Sequence, residues 1–213
     1  MKKLYPHINI TLVLANLLLF VTGCATMKTL LHRDVEELFR GADAAGGGVM
    51  TAEECNGLPL PVRRYLEYSG VIGKARIQTV RLKQTGHFRT KADQPWFPIK
   101  AIQFIRPDDI GFVWLGKITP FPLFTISAKD KFLNGEGNML VKLLSIKTIA
   151  DAKGPEVDQG ELLRYLSEAV WYPSAFLSAN VEWEAVDEHS AKPRFNIMGI
   201  PLMEYSILTM KAG

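Results

Sequence analysis

From Ile77 onward the chain alternates apolar and polar residues in short runs, and tight turns separate the runs. This feature constrains the fold most, because a period of two gives each run one apolar face, as a half-buried β-strand requires. Val80, Leu82 and Phe88 mark one run, and Ile99, Ile102, Phe104 and Ile105 the next. Further strands are expected at Gly111–Ile118, Phe121–Ala128, Asn138–Thr148, Asn180–Val186 and Lys192–Ile197. Pro107-Asp108-Asp109, Asn134-Gly135 and Lys153-Gly154-Pro155 are the turns between them. Consecutive strands joined so briefly run antiparallel. One helix interrupts them: Asp158 and Glu161 suit its start, Leu162, Leu163, Leu166, Ala169 and Val170 its apolar face, and Trp171-Tyr172-Pro173 its end. The fold class is α+β, an antiparallel sheet with helices packed on one side.

Two shorter helices are expected before the sheet. Leu30, Leu31, Val35, Leu38 and Phe39 recur at helical spacing through Lys28–Arg40, with charges on the opposite face. The glycine-rich stretch from Gly41 to Gly48 lacks both the Lys-Ser/Thr and the preceding strand of a phosphate-binding loop, and reads as a linker. Thr51 and Glu54 have the spacing of a capping box. Pro61 then opens the helix that runs through Val62-Arg63-Arg64-Tyr65-Leu66 to Ser69-Gly70.

The N-terminus carries an address. Lys2 and Lys3 precede an apolar run from Ile8 to Val21, short of the about 20 residues that span a bilayer and suited to a signal peptide. Val21-Thr22-Gly23-Cys24 resembles the lipobox of bacterial lipoproteins, in which cleavage leaves an acylated cysteine as the new N-terminus. The resemblance implies a signal peptide over residues 1–23, a lipid anchor with its short helix and linker over 24–50, and an α+β domain over 51–213. Ala25, rather than aspartate, follows the cysteine, which in proteobacterial lipoproteins favours the outer membrane.

Charge excludes one class of partner. The chain has 25 basic and 22 acidic residues; without Lys2 and Lys3 the mature chain is nearly neutral, with no basic stripe to hold nucleic acid. Of its two cysteines, acylation of Cys24 leaves Cys55 unpaired, most commonly a buried thiol; a Cys24–Cys55 disulfide is the alternative without acylation.

From Leu58 to about Ala191 the chain resembles bacterial proteins of the DUF6544 or DUF6920 kind, defined only as domains of unknown function. The likeness rests on Leu58-Pro59-Leu60-Pro61 with Val62-Arg63-Arg64-Tyr65-Leu66, on Trp96-Phe97-Pro98-Ile99-Lys100-Ala101, and on Gly135-Glu136-Gly137. Most of all it rests on Asp158-Gln159-Gly160-Glu161-Leu162-Leu163-Arg164-Tyr165-Leu166 with Trp171-Tyr172-Pro173. Such a sheet with a helix across it is also similar, at the level of fold alone, to the LolA/LolB lipoprotein carriers, whose half-open barrels bind acyl chains. That analogy implies a strongly curved sheet, an incomplete barrel. From Pro193-Arg194-Phe195 the chain departs from the resemblance, which implies a domain shortened at its C-terminus, without edge strands.

Residues that carry chemistry are sparse. His7, His32, His87 and His189 are scattered, and no metal-binding or serine-nucleophile motif is present, so neither metal nor cofactor is expected. Asp130, Glu136, Glu156, Asp158 and Glu161 cluster loosely; Glu136 and Glu161 are the candidate acids should folding unite two carboxyls, and capping or solvation is their commoner role. Trp96, Phe97, Trp114, Trp171 and Tyr172, with Arg164 for an anionic head, are the candidate lining of an apolar ligand groove, although such aromatics more often form core. Arg164 is otherwise a surface partner of Glu161, three residues away. The sequence points to a membrane-anchored, non-catalytic envelope protein that binds a hydrophobic small molecule, a lipid or an envelope partner. A carboxylate-dependent envelope enzyme and a structural lipoprotein are the alternatives.

Overall fold

The computed structural model describes residues 26–42, 47–195 and 208–209. Cys24 and the expected signal peptide, part of the glycine-rich linker, and most of the chain after Phe195 lie outside the described residues.

Six strands form one antiparallel meander in sequence order: β1 (Val80–Phe88), β2 (Phe97–Arg106), β3 (Gly111–Phe121), β4 (Phe124–Leu133), β5 (Glu136–Leu143) and β6 (Lys147–Lys153). β1 and β6 do not pair, so the sheet is open and not a closed barrel. Asn134 and Gly135, both at positive φ (54° and 82°), make the tight β4–β5 turn that the Asn-Gly pair predicts. The run expected as one strand over Asn138–Thr148 is instead two, β5 and β6. Leu144 and Ser145 turn the chain at φ 51° and 62°, without the Gly or Asn that normally marks such a turn. Phe121, expected to begin a strand, ends β3, and Pro122-Leu123 turns the chain into β4 with Leu123 at φ 64°.

One face of the sheet is covered by α2 (Leu60–Tyr68) and α3 (Pro155–Glu168). Val62 and Leu66, then Leu162, Tyr165 and Leu166, pack with Ile105, Phe112, Trp114 and Phe132 in the main core. Pro61 occupies the first turn of α2 as expected. α3 begins at Pro155, three residues before Asp158, because Gly154 at φ 107° lets β6 turn straight into it. Asp158 instead accepts a hydrogen bond from the Gly137 backbone N–H at 2.6 Å, tying the helix to β5. A Cβ on Gly137 would strike the Val157 carbonyl at 2.7 Å, so only glycine permits this approach.

The opposite face is crossed by α1 (Met27–Leu38). Met27 packs on Leu115 and Leu140, and Leu38 on Val113 and Leu133. Thr26 caps its start, accepting from the Thr29 N–H at 3.3 Å. Arg106 caps its end, donating to the Leu38 and Arg40 carbonyls at 3.3 and 2.6 Å. One charge lies on the buried side of this helix, contrary to the amphipathic reading: Asp34 is fully buried and bonded to Lys129, with Lys131 at 3.3 Å. Burial opposes ionisation of Asp34, but the hydrogen bond and charge of Lys129, then Lys131, hold its carboxyl below the usual range.

The remaining elements are small. Thr51 and Glu54 form the capping box, Thr51 N–H donating to Glu54 at 2.8 Å, but it opens only a single 3-10 turn, Glu53–Cys55. Cys55 is a free, buried thiol that burial pushes above its ordinary range. β7 (Val181–Ala185), β8 (Ser190–Phe195) and β9 (Leu208–Thr209) form a second antiparallel sheet.

Removing one partner from a buried ion pair leaves an uncompensated charge. Asp34→Ala is therefore expected to cost about 3–5 kcal/mol in urea unfolding at neutral pH. Pairing Asp34→Leu with Lys129→Met should recover most of that loss.

Candidate functional site

α3 presents Glu161, Arg164 and Glu168 along one stripe, since residues three and four apart share a helix face. Beneath that helix, the strand register places Gln103, Trp114 and Asp130 side by side on β2, β3 and β4. Arg164 joins the two layers. It donates to Asp130 at 2.6 Å and to Glu168 at 3.2 Å, and its guanidinium lies 5.0 and 4.9 Å from the rings of Phe112 and Trp114. Glu168 also accepts from Gln103. Gln103 in turn accepts from Gln84 at 3.2 Å, and Gln84 from the Trp114 indole N–H at 2.7 Å.

The cluster holds more acid than base. Oδ1 of Asp130 and Oε2 of Glu161 are buried with no hydrogen-bond partner among the described residues. Burial, then the charge of Asp130, push the Glu161 carboxyl up to about 7 despite Arg164. Burial likewise raises Asp130, against the opposing pull of Arg164. Such a pair holds a proton near neutrality, and can act as acid and base on any group that reaches it. The partners of Arg164 are therefore Asp130 and Glu168, and the expected surface pair with Glu161 is replaced by an unbonded charge interaction.

Two grooves flank α1 on the other face. One, of about 870 Å³, is lined by the apolar Leu31, Val35 and Phe104, by Lys28, Arg33 and Arg81, and by Glu36, which pairs with His32 at 3.2 Å. The other, of about 600 Å³, is polar and runs beside Lys129, Lys131, Glu136, Asp151 and Lys153. No group of three or more metal-ligating side chains occurs among the described residues. Nor is any helix among them long and apolar enough to cross a membrane.

Residues 48–202 match a family of unknown function, DUF6544. The chain belongs to that family. No curated protein matches the chain. No solved structure matches it, so this comparison adds nothing to the carrier analogy.

Of the residues singled out in the sequence, this DUF6544 domain brings Trp114, Arg164 and Glu161 together. Tyr172 lies fully buried in the core beside them, donating to the Tyr165 carbonyl at 2.6 Å. Trp171 is half-exposed in the 3-10 turn after α3. Trp96 and Phe97 stand at the β1–β2 hairpin, with Arg89 4.4 Å from the Trp96 ring. Glu136 is exposed at the start of β5 and lines the polar groove. Sequence reasoning missed Glu168, Gln103 and Gln84 in the cluster. Arg164 and Glu168 do have the spacing of a helical ion pair, but nothing local distinguishes the two glutamines.

A carboxyl with a raised folded-state pKa keeps its proton where the unfolded chain has lost it, so stability falls as pH rises from about 4.5 to about 7. Glu161→Gln removes that loss. The variant is expected to match the wild type near pH 4 and to exceed it by about 3 kcal/mol at pH 8, read by urea unfolding across pH.

Proposed function

We propose that the protein is a cell-envelope lipoprotein, acylated on Cys24, whose domain binds an amphiphile with an alkyl chain and an anionic head. One observation carries the binding reading: the groove beside α1 combines apolar side chains with three cations, Lys28, Arg33 and Arg81, against the single acid Glu36. Its volume of about 870 Å³ falls in the range of small-molecule sites. Arg81 lines it with its cross-strand neighbour Phe104, the guanidinium 5.4 Å from that ring, and would meet an anionic head group there. Arg164, the cation first considered for that task, is already engaged by two carboxylates.

The lipobox supports the anchor, and Ala25 supports the outer membrane as its location in a Gram-negative cell. The competing reading is a carboxylate-dependent enzyme. It is favoured by the unbonded oxygens of Asp130 and Glu161, and its acids would be this pair rather than Glu136 with Glu161. Against it, neither carboxyl lines the grooves beside α1.

The test is intact mass spectrometry of the full chain purified from a bacterial envelope, with extraction of bound lipid. The expected result is an acylated Cys24, lost in Cys24→Ala, and a co-purifying anionic amphiphile whose occupancy falls several-fold in Arg81→Glu. An intact Met1 terminus sinks the anchor. Absence of any amphiphile, or one insensitive to Arg81→Glu, sinks the groove.

A further inference from the structure

The two ends of the six-stranded sheet are built from different materials. At one end the turns carry Asp108, Asp109 and Asn134, and Glu136 and Glu156 open the strand and the helix beside them, residues that water and turn geometry favour. At the other end three hairpin tips stand together, because β1–β2, β3–β4 and β5–β6 all reverse there. Their apolar side chains point outward: Phe88 and Trp96 on the first, Phe121 and Leu123 on the second, Leu144 and Ile146 on the third. Leu123 is 96% exposed.

These side chains are costly where they are. Leu123 and Leu144 sit at positive φ, where glycine or asparagine would remove the strain and also the exposed apolar surface. Both leucines act against stability and solubility at once, which points to a partner that takes them up.

Charge identifies that partner. The tip segments 86–98, 117–125 and 144–149 carry Arg89, Lys91, Lys117 and Lys147 against the single acid Asp93. Arg89 lies over the Trp96 ring at 4.4 Å, a pairing of cation and amphipathic ring that suits the boundary between head groups and acyl chains. The chain direction agrees. α1 runs from Met27, on Leu115, to Leu38, on Val113 beside Gly111, so its N-terminus points toward the tip end.

We infer that the three hairpin tips form a membrane-docking surface, seated in the head-group region of an anionic bilayer, with Leu123 and Ile146 below the phosphates. This surface does not rest on acylation of Cys24. An anchor attached just before α1 would add to it, holding the same end of the sheet to the membrane.

The full chain is purified in detergent with one added cysteine, Leu123→Cys, Ile146→Cys or, at the opposite end, Glu156→Cys. Each is made with Cys55→Ala and labelled with an environment-sensitive fluorophore, and peptide mass mapping locates the label and reports Cys24 acylation separately. After reconstitution into vesicles of phosphatidylethanolamine and phosphatidylglycerol, nitroxide-bearing lipid is expected to quench the labels at 123 and 146 several-fold more than the label at 156. The difference is expected to shrink in phosphatidylcholine alone. Equal quenching at all three positions overturns the proposal. So does a blue shift at 123 without lipid quenching, which would place the tips in contact with another copy of the chain or another protein.

Discussion

β4 holds the molecule together through three consecutive residues. Lys129, Asp130 and Lys131 alternate across the sheet, as side chains on a strand must. The two lysines reach Asp34 of α1 on one face, and Asp130 reaches Arg164 of α3 on the other. Each ion pair is largely shielded from water, so its register matters more than its number: a slip of one residue would place lysine against arginine and aspartate against aspartate. The helices on the two faces are thereby fixed relative to one another through a single strand.

That device explains why some of the structure was legible and some was not. The period-two runs and the Asn134-Gly135 turn carry strong local signals, and the meander followed from them. The β5–β6 turn did not, because Leu144 and Ser145 adopt positive φ without the Gly or Asn that signals it, and read as more strand. Asp34 sat three and four residues from Leu38, Leu31 and Leu30, on the apolar stripe itself, yet its role depends on lysines some ninety-five residues away. Glu161 and Arg164 were visible as chemistry, but their true neighbours were not. Asp130, Gln103 and Trp114 become a row only when β2, β3 and β4 are in register.

Function divides along the same geometry. The face under α3 holds a polar network with two unbonded carboxyl oxygens, and its raised carboxyl ties stability to pH. The face under α1 carries the amphipathic groove, and the hairpin end next to the start of α1 carries the exposed apolar tips. α1 is a wall of that groove as well as a packed part of the domain.

The groove and the pairing of Asp34 with β4 both require α1 to be an integral part of the domain. Residue-resolved hydrogen exchange on the full chain tests this most directly, by comparing the amides of Val35–Leu38 with those of β4. A pinned α1 opens together with β4, with nearly the same free energy and the same loss in Asp34→Ala. If the α1 amides exchanged as a frayed segment while β4 stayed protected, the pinned helix, and the groove built on it, would be contradicted.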